Sequence, residues 1–248
     1  MRIIVLAKNR KLYLSVYLKK DMQYWFLAFL MVCGVVSNAQ QTYGLKTMRL
    51  PEFVDTIKRN PDKTMINLEN YIPKVKLDIR YATTNNFMGK KMYSLPRAYA
   101  RKPVAIALKK AQAEFESKGY GIKIFDAYRP YQVTVAFYEE YGDTTYVASP
   151  YRGSRHNRGC AIDMTLYDLI TGEDLIMPTE YDVFSKEAWP STPMRDPVKG
   201  KNREILVSVM QKYGFRVNSS EWWHFDFIGY RKYEVLDIPF ESLDELIK

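Results

Sequence analysis

The nine residues CAIDMTLYD, 160 to 168, read as a strand that is apolar over most of its length, and Asp163 stands in the middle of it. A carboxylate in such a place needs a cation or several hydrogen-bond donors, because an unpaired buried charge is too costly to keep. Whatever fold the chain adopts must therefore bring counter-groups to Asp163. The sequence holds only two histidines in 248 residues, His156 seven positions before that aspartate and His224 sixty-one after it.

Two imidazoles and one carboxylate form a three-ligand set that leaves a coordination position open, as in a catalytic zinc site rather than a closed structural one. The same donors also suit Fe(II), so the ligand types alone do not name the metal. Glu221 precedes His224 by three residues. In a regular strand those two side chains would face opposite sides, so a shared cleft requires a bend at SSEWW. A carboxylate beside a metal can take a proton from an attacking water and return it to a leaving amine. Taken singly, each residue has a plainer reading: a packed histidine, core tryptophans at 222 and 223, turn residues at Ser154 and Gly159. Their joint occurrence at these spacings is what argues for a site.

The rest of the chain predicts how the site is carried. Val75, Leu77, Ile79 and Tyr81 alternate through KVKLDIRYAT as a half-buried strand, and a helix starts at Pro103 and runs to the residue before Gly119. GIKIFDAY forms a further strand and a helix follows near Pro130, so Arg129 falls at a strand-to-helix junction. Residues 200 to 214 carry an apolar helical face stopped by Gly214, and FRVN and WHFDFI supply the last strands. The pattern predicts one α+β domain with a central antiparallel or mixed sheet flanked by helices. Residues 40–69 read as a polar N-terminal arm with one short helix in PEFVDTIKR.

Residues 1–39 have the layout of a secretory signal: a basic run, the apolar segment WFLAFLMVCGVV, then SNAQ with a cut after Ala39. An uncleaved anchor, a start at Met22 and a lipoprotein site at Cys33 are the alternatives. The domain at 40–248 then carries 31 basic and 27 acidic residues, a net charge of +4 that is too mild and scattered for a nucleic-acid partner. Periplasmic or secreted location follows, with no stable membrane insertion once the signal is removed. Cys160 is left without a disulfide partner and reads as a small buried thiol, with a fourth metal ligand or a redox group as rivals.

Ser154, His156, Gly159, Ala161 and Asp163, in the order S-x-H-x-x-G-x-A-x-D, together with EWWH at 221–224, resemble the zinc peptidases that share the D,D-carboxypeptidase and hedgehog-domain fold. DIRYATTNNFMGK, FDAYRP and the TGE turn make the resemblance closest to D-alanyl-D-alanine dipeptidases of the vancomycin-resistance type, across residues 70 to 228. That resemblance implies one zinc held by His156, Asp163 and His224, Glu221 as general base, and Arg129 as the cation that stabilises the tetrahedral intermediate. It also implies that Ser154, Asp182 and Tyr81 help bind a small dipeptide, D-Ala-D-Ala or a muropeptide fragment, with Asp182 taking its ammonium. A carboxypeptidase or endopeptidase acting on longer wall peptides, and a zinc-stabilised binding module, are the competing functions. Cys160 departs from the pattern, where serine is familiar, and so does the signal.

Overall fold

The computed structural model describes residues 43–246. The basic leader, the cut after Ala39 and Cys33 lie outside them.

A five-stranded sheet organises the domain. Its strands are β2 (Lys76–Leu77), β4 (Tyr120–Asp126), β5 (Ala161–Asp168), β6 (Phe215–Val217) and β7 (His224–Phe227), in the order β2-β4-β5-β7-β6. Only β2 and β4 run parallel and every other pair is antiparallel, so the expected mixed sheet is present. Helix α3 (Lys102–Ser117) has a proline in its first turn and buries Val104, Leu108, Ala111 and Phe115. It packs against β4 and against α5 (Pro197–Lys212), whose first turn is capped by Asp196 through the amides of Val198 and Lys199. Helix α4 (Tyr131–Tyr141) follows β4 directly and ends at Gly142. No helix of the described residues is long and apolar enough to cross a membrane.

Two expectations are corrected. The N-terminal arm is not an arm from residue 43 onward. Helix α1 (Leu50–Arg59) buries Phe53, β1 (Met65–Asn67) pairs with β3 (Tyr99–Arg101) in a separate two-stranded sheet, and the single turn α2 (Leu68–Tyr71) buries Leu68. Arg101 ties this region down. Its buried guanidinium donates to the carbonyls of Lys63, Arg158 and Glu234, and it lies over the rings of Phe53 and Tyr233. Three distant segments thus share one cation, and its donors are satisfied by dipoles as a buried charge requires.

The second correction concerns 74–83, where the strand is only two residues long. The chain turns into a 3-10 segment at Arg80–Ala82, because the carbonyl of Tyr81 accepts the amides of Met92 and Tyr93 instead of a strand partner. Tyr81 is therefore a buried turn residue.

Candidate active site

Sheet register builds the floor of the site. Asp163 on β5 is directly paired with His224 on β7 and, on its other side, with Asp126 on β4. Paired residues of antiparallel strands project to the same face, so three chemically active side chains stand in one row across the centre of the sheet. A register shift between Ile124 and Asp126 accompanies that alignment. His156 joins them from a 3-10 turn, His156–Arg158, just before β5. Gly159 closes this turn at φ +66°, a left-handed backbone that favours glycine, and a Cβ there would sit 2.9 Å from the sulfur of Met65, whose end would have to shift.

The partners of the two imidazoles assign their protons. His156 Nδ1 lies 2.6 Å from the carbonyl of Ala127 and must donate to it, which leaves Nε2 as a lone pair. His224 Nε2 lies 3.0 Å from Asp226 Oδ1 and donates likewise, leaving Nδ1. Those two bare nitrogens are 3.2 Å apart, and Asp163 Oδ1 lies 3.3 Å from one and 2.9 Å from the other. No donor reaches Asp163 Oδ1, a buried atom. With both imidazoles neutral, three acceptors converge with no proton between them, an arrangement that a cation resolves. Two nitrogens and one oxygen within 4.8 Å of one another suit zinc and leave a position open for chemistry. Cys160 is outside this group. It is buried near the carbonyl of Arg158, and burial pushes its thiol up to about 12, so the plain reading of that residue holds.

Glu221 stands where the predicted bend places it, in the turn before β7, its Oε2 3.7 Å from His224 Nδ1. Burial raises its carboxyl to about 7; His224 opposes the shift, Asp163 adds to it, and a hydrogen bond from Asn218 Nδ2 at 2.9 Å opposes it. A carboxyl poised there can both accept and return a proton near neutrality. Arg129 is buried at the end of β4 and is held by Asp126, whose Oδ2 accepts from Nε at 3.0 Å and from Nη2 at 2.7 Å. The other oxygen of Asp126 accepts from Tyr93 at 2.8 Å and from the Ala127 amide at 2.9 Å. Arg129 therefore has one aim, over the rings of Tyr81 and Phe137 into the cleft.

The cleft is a cavity of about 110 Å³ whose lining includes Arg129, His156, Asp163, Asp182, Glu221 and His224. It falls below the roughly 300 Å³ at which ordinary ligand pockets begin, so it suits a small ligand. Its wall is formed by 144–148, Phe87, Phe184 and Trp223. Trp223 is thus pocket wall, while Trp222 is core and donates to Thr179. Tyr81 donates to Asp182 at 3.1–3.2 Å, and among the described residues no cationic side chain is within ion-pair distance of Asp182. Burial, then the charge of Asp163, raises the Asp182 carboxyl well above its ordinary value, so a cationic ligand would be welcome there. Ser154 lines the cavity, but its oxygen also accepts the amide of His156 at 3.1 Å, bracing the ligand turn.

All eight expected residues are brought to this one cavity. The structure adds Asp126, Asn218 and Asp226 to them, along with Tyr181, whose hydroxyl meets Asp163. Asp126 lies inside FDAYRP, and Asp226 follows His224 by two on the same strand face, so period-two spacing was a usable signal for it. Asn218 and Tyr181 left no such trace.

Residues 62–240 match the peptidase family described as D-ala-D-ala dipeptidase. The chain is 33% identical over 172 residues to the D-alanyl-D-alanine dipeptidase of Escherichia coli (strain K12), covering 69% of this chain and 89% of that protein. It is 32% identical over 184 residues to the enzyme of the same name from Enterococcus faecalis, covering 65% and 90%. A solved LD-carboxypeptidase is 22% identical, with a TM-score of 0.39 over 75% of this chain and 78% of its own. With nearly the full length of such relatives spanned, and a zinc-type ligand set at its centre, this chain belongs to the D-ala-D-ala dipeptidase family of metallopeptidases.

Proposed function

We propose that this protein is an exported zinc dipeptidase that hydrolyses free D-Ala-D-Ala, or a closely related muropeptide fragment, during peptidoglycan turnover. The observation that carries this reading is the unpaired acid Asp182 in the same small cavity as the His156–Asp163–His224 group and Glu221. An acid held without a cation fits a substrate that brings its own ammonium, and a cavity of this size fits a dipeptide better than a glycan-linked stem peptide.

His156, Asp163 and His224 would hold the zinc. When bound, zinc supplies a Lewis acid that polarises the peptide carbonyl and makes water nucleophilic near neutral pH. Asp182 and Tyr81 take the substrate's ammonium and so fix which end of the dipeptide enters. Glu221 removes the proton of the attacking water and delivers it to the amine that leaves. Arg129, already oriented by Asp126, meets the negative charge that grows on the carbonyl oxygen, a form of stabilisation worth about 3 kcal/mol for one preorganised donor. Ser154 keeps the His156 turn in place at the edge of the substrate. The leader at 1–39 supports action outside the inner membrane, where wall fragments are released.

A hydrolysis panel tests the reading: D-Ala-D-Ala against L-Ala-D-Ala, L-Ala-L-Ala and N-acetyl-D-Ala-D-Ala, each with and without a chelator. Chelator-sensitive cleavage confined to free D-Ala-D-Ala is the expected result. Efficient cleavage of the acetylated compound would move the assignment to a carboxypeptidase on longer chains.

A further inference from the structure

The hydroxyl of Tyr181 has no part in the chemistry above, yet it stands between the two halves of the site. It lies 3.0 Å from Asp163 Oδ2 and 3.2 Å from the hydroxyl of Tyr81, which in turn donates to Asp182. The ring is fixed independently of these bonds. It is buried, stacked on Phe125 at 4.5 Å and set edge-on to Trp223 at 5.5 Å.

Two hydroxyl protons are available here for three acceptors: Asp182, the Tyr81 oxygen and Asp163 Oδ2. Carboxylates accept more strongly than a phenol, so Tyr81 gives its proton to Asp182 and Tyr181 gives its own to Asp163, with the Tyr81 oxygen as the alternative. A donor on Oδ2 holds the carboxylate with Oδ1 turned to the two bare imidazole nitrogens, as hydrogen bonds to ligating carboxylates commonly do.

We propose that Tyr181 is a positioning residue that holds Asp163 for the metal: its hydrogen bond to Oδ2 keeps Oδ1 facing the two imidazole nitrogens. The inference rests on the ligand set and not on the role given above to Asp182.

The test is zinc affinity by chelator competition, with the fold checked by circular dichroism and melting temperature. Tyr181→Phe should weaken zinc about ten-fold, whereas Tyr81→Phe, which leaves the Tyr181–Asp163 bond in place, should keep zinc affinity within about two-fold. Unchanged zinc affinity in folded Tyr181→Phe overturns the proposal, and so does an equal loss in Tyr81→Phe, which would mark a general loosening of the pocket. Should Tyr181→Phe fail to fold, Tyr181→Leu is measured in its place against the same two outcomes.

Discussion

The floor of the cavity is carried on paired strands and its wall on turns. Asp126, Asp163 and His224 are set by backbone ladders that fix each Cα against its neighbours, so their spacing is a property of the sheet. Tyr81, Asp182 and Ser154 stand in turns, and they are placed by side-chain contacts and by local backbone geometry; Asp182 itself adopts φ +61°. The difference assigns two jobs to two kinds of structure. Two of the three ligands and the acid that aims Arg129 sit on the sheet, His156 and Glu221 come from turns directly abutting its strands, and the groups that would choose the ligand sit where sequence can change without moving the sheet.

Variants on the two sides should therefore fail differently. Glu221→Ala removes the proton carrier and should lower kcat by about a thousand-fold with zinc retained, as measured by turnover and metal content. Asp126→Asn strikes the floor: it leaves the buried Arg129 charge half-paired, so kcat should fall about a hundred-fold and unfolding free energy by about 3 kcal/mol, read from denaturant titration. On the wall, Asp182→Asn keeps a residue type that tolerates positive φ and should raise KM about ten-fold while kcat changes less. A fall in kcat with KM unchanged would erase the division between floor and wall. Gly159→Ala forces a strained φ and a clash with Met65, and should cost about 2 kcal/mol of stability, seen as a lower melting temperature. The smallest effect belongs to Cys160. With its thiol pushed up to about 12 it stays protonated at pH 8, and in a Cys33→Ser background iodoacetamide should leave the folded protein unlabelled.

The sequence made the floor partly legible. Asp163 announced itself as a charge in an apolar strand, and His224 and Glu221 followed from the bend that their spacing demanded. Asp126 escaped because its value depends on which strand lies beside β5, a matter of register that no local pattern reveals. Tyr181 meets Asp163 only after the chain has looped back through 169–180, so nothing in its own neighbourhood marks it. The segment at 43–69 reads as an arm for a related reason. Phe53 and the short apolar stretch from Met65 to Leu68 stand apart from one another among polar residues, and β1 finds its partner strand only when β3 and the Gly159 turn are in place.

The tie made by Arg101 links the first described segment of the domain to the site. One side chain fastens residue 63, the ligand turn at 158 and the chain at 234, so the early residues cannot peel away without taking the metal-binding turn with them. Opening of the 43–69 segment and loss of the metal-binding turn should therefore be one event rather than two, so that a folded segment reports an assembled site.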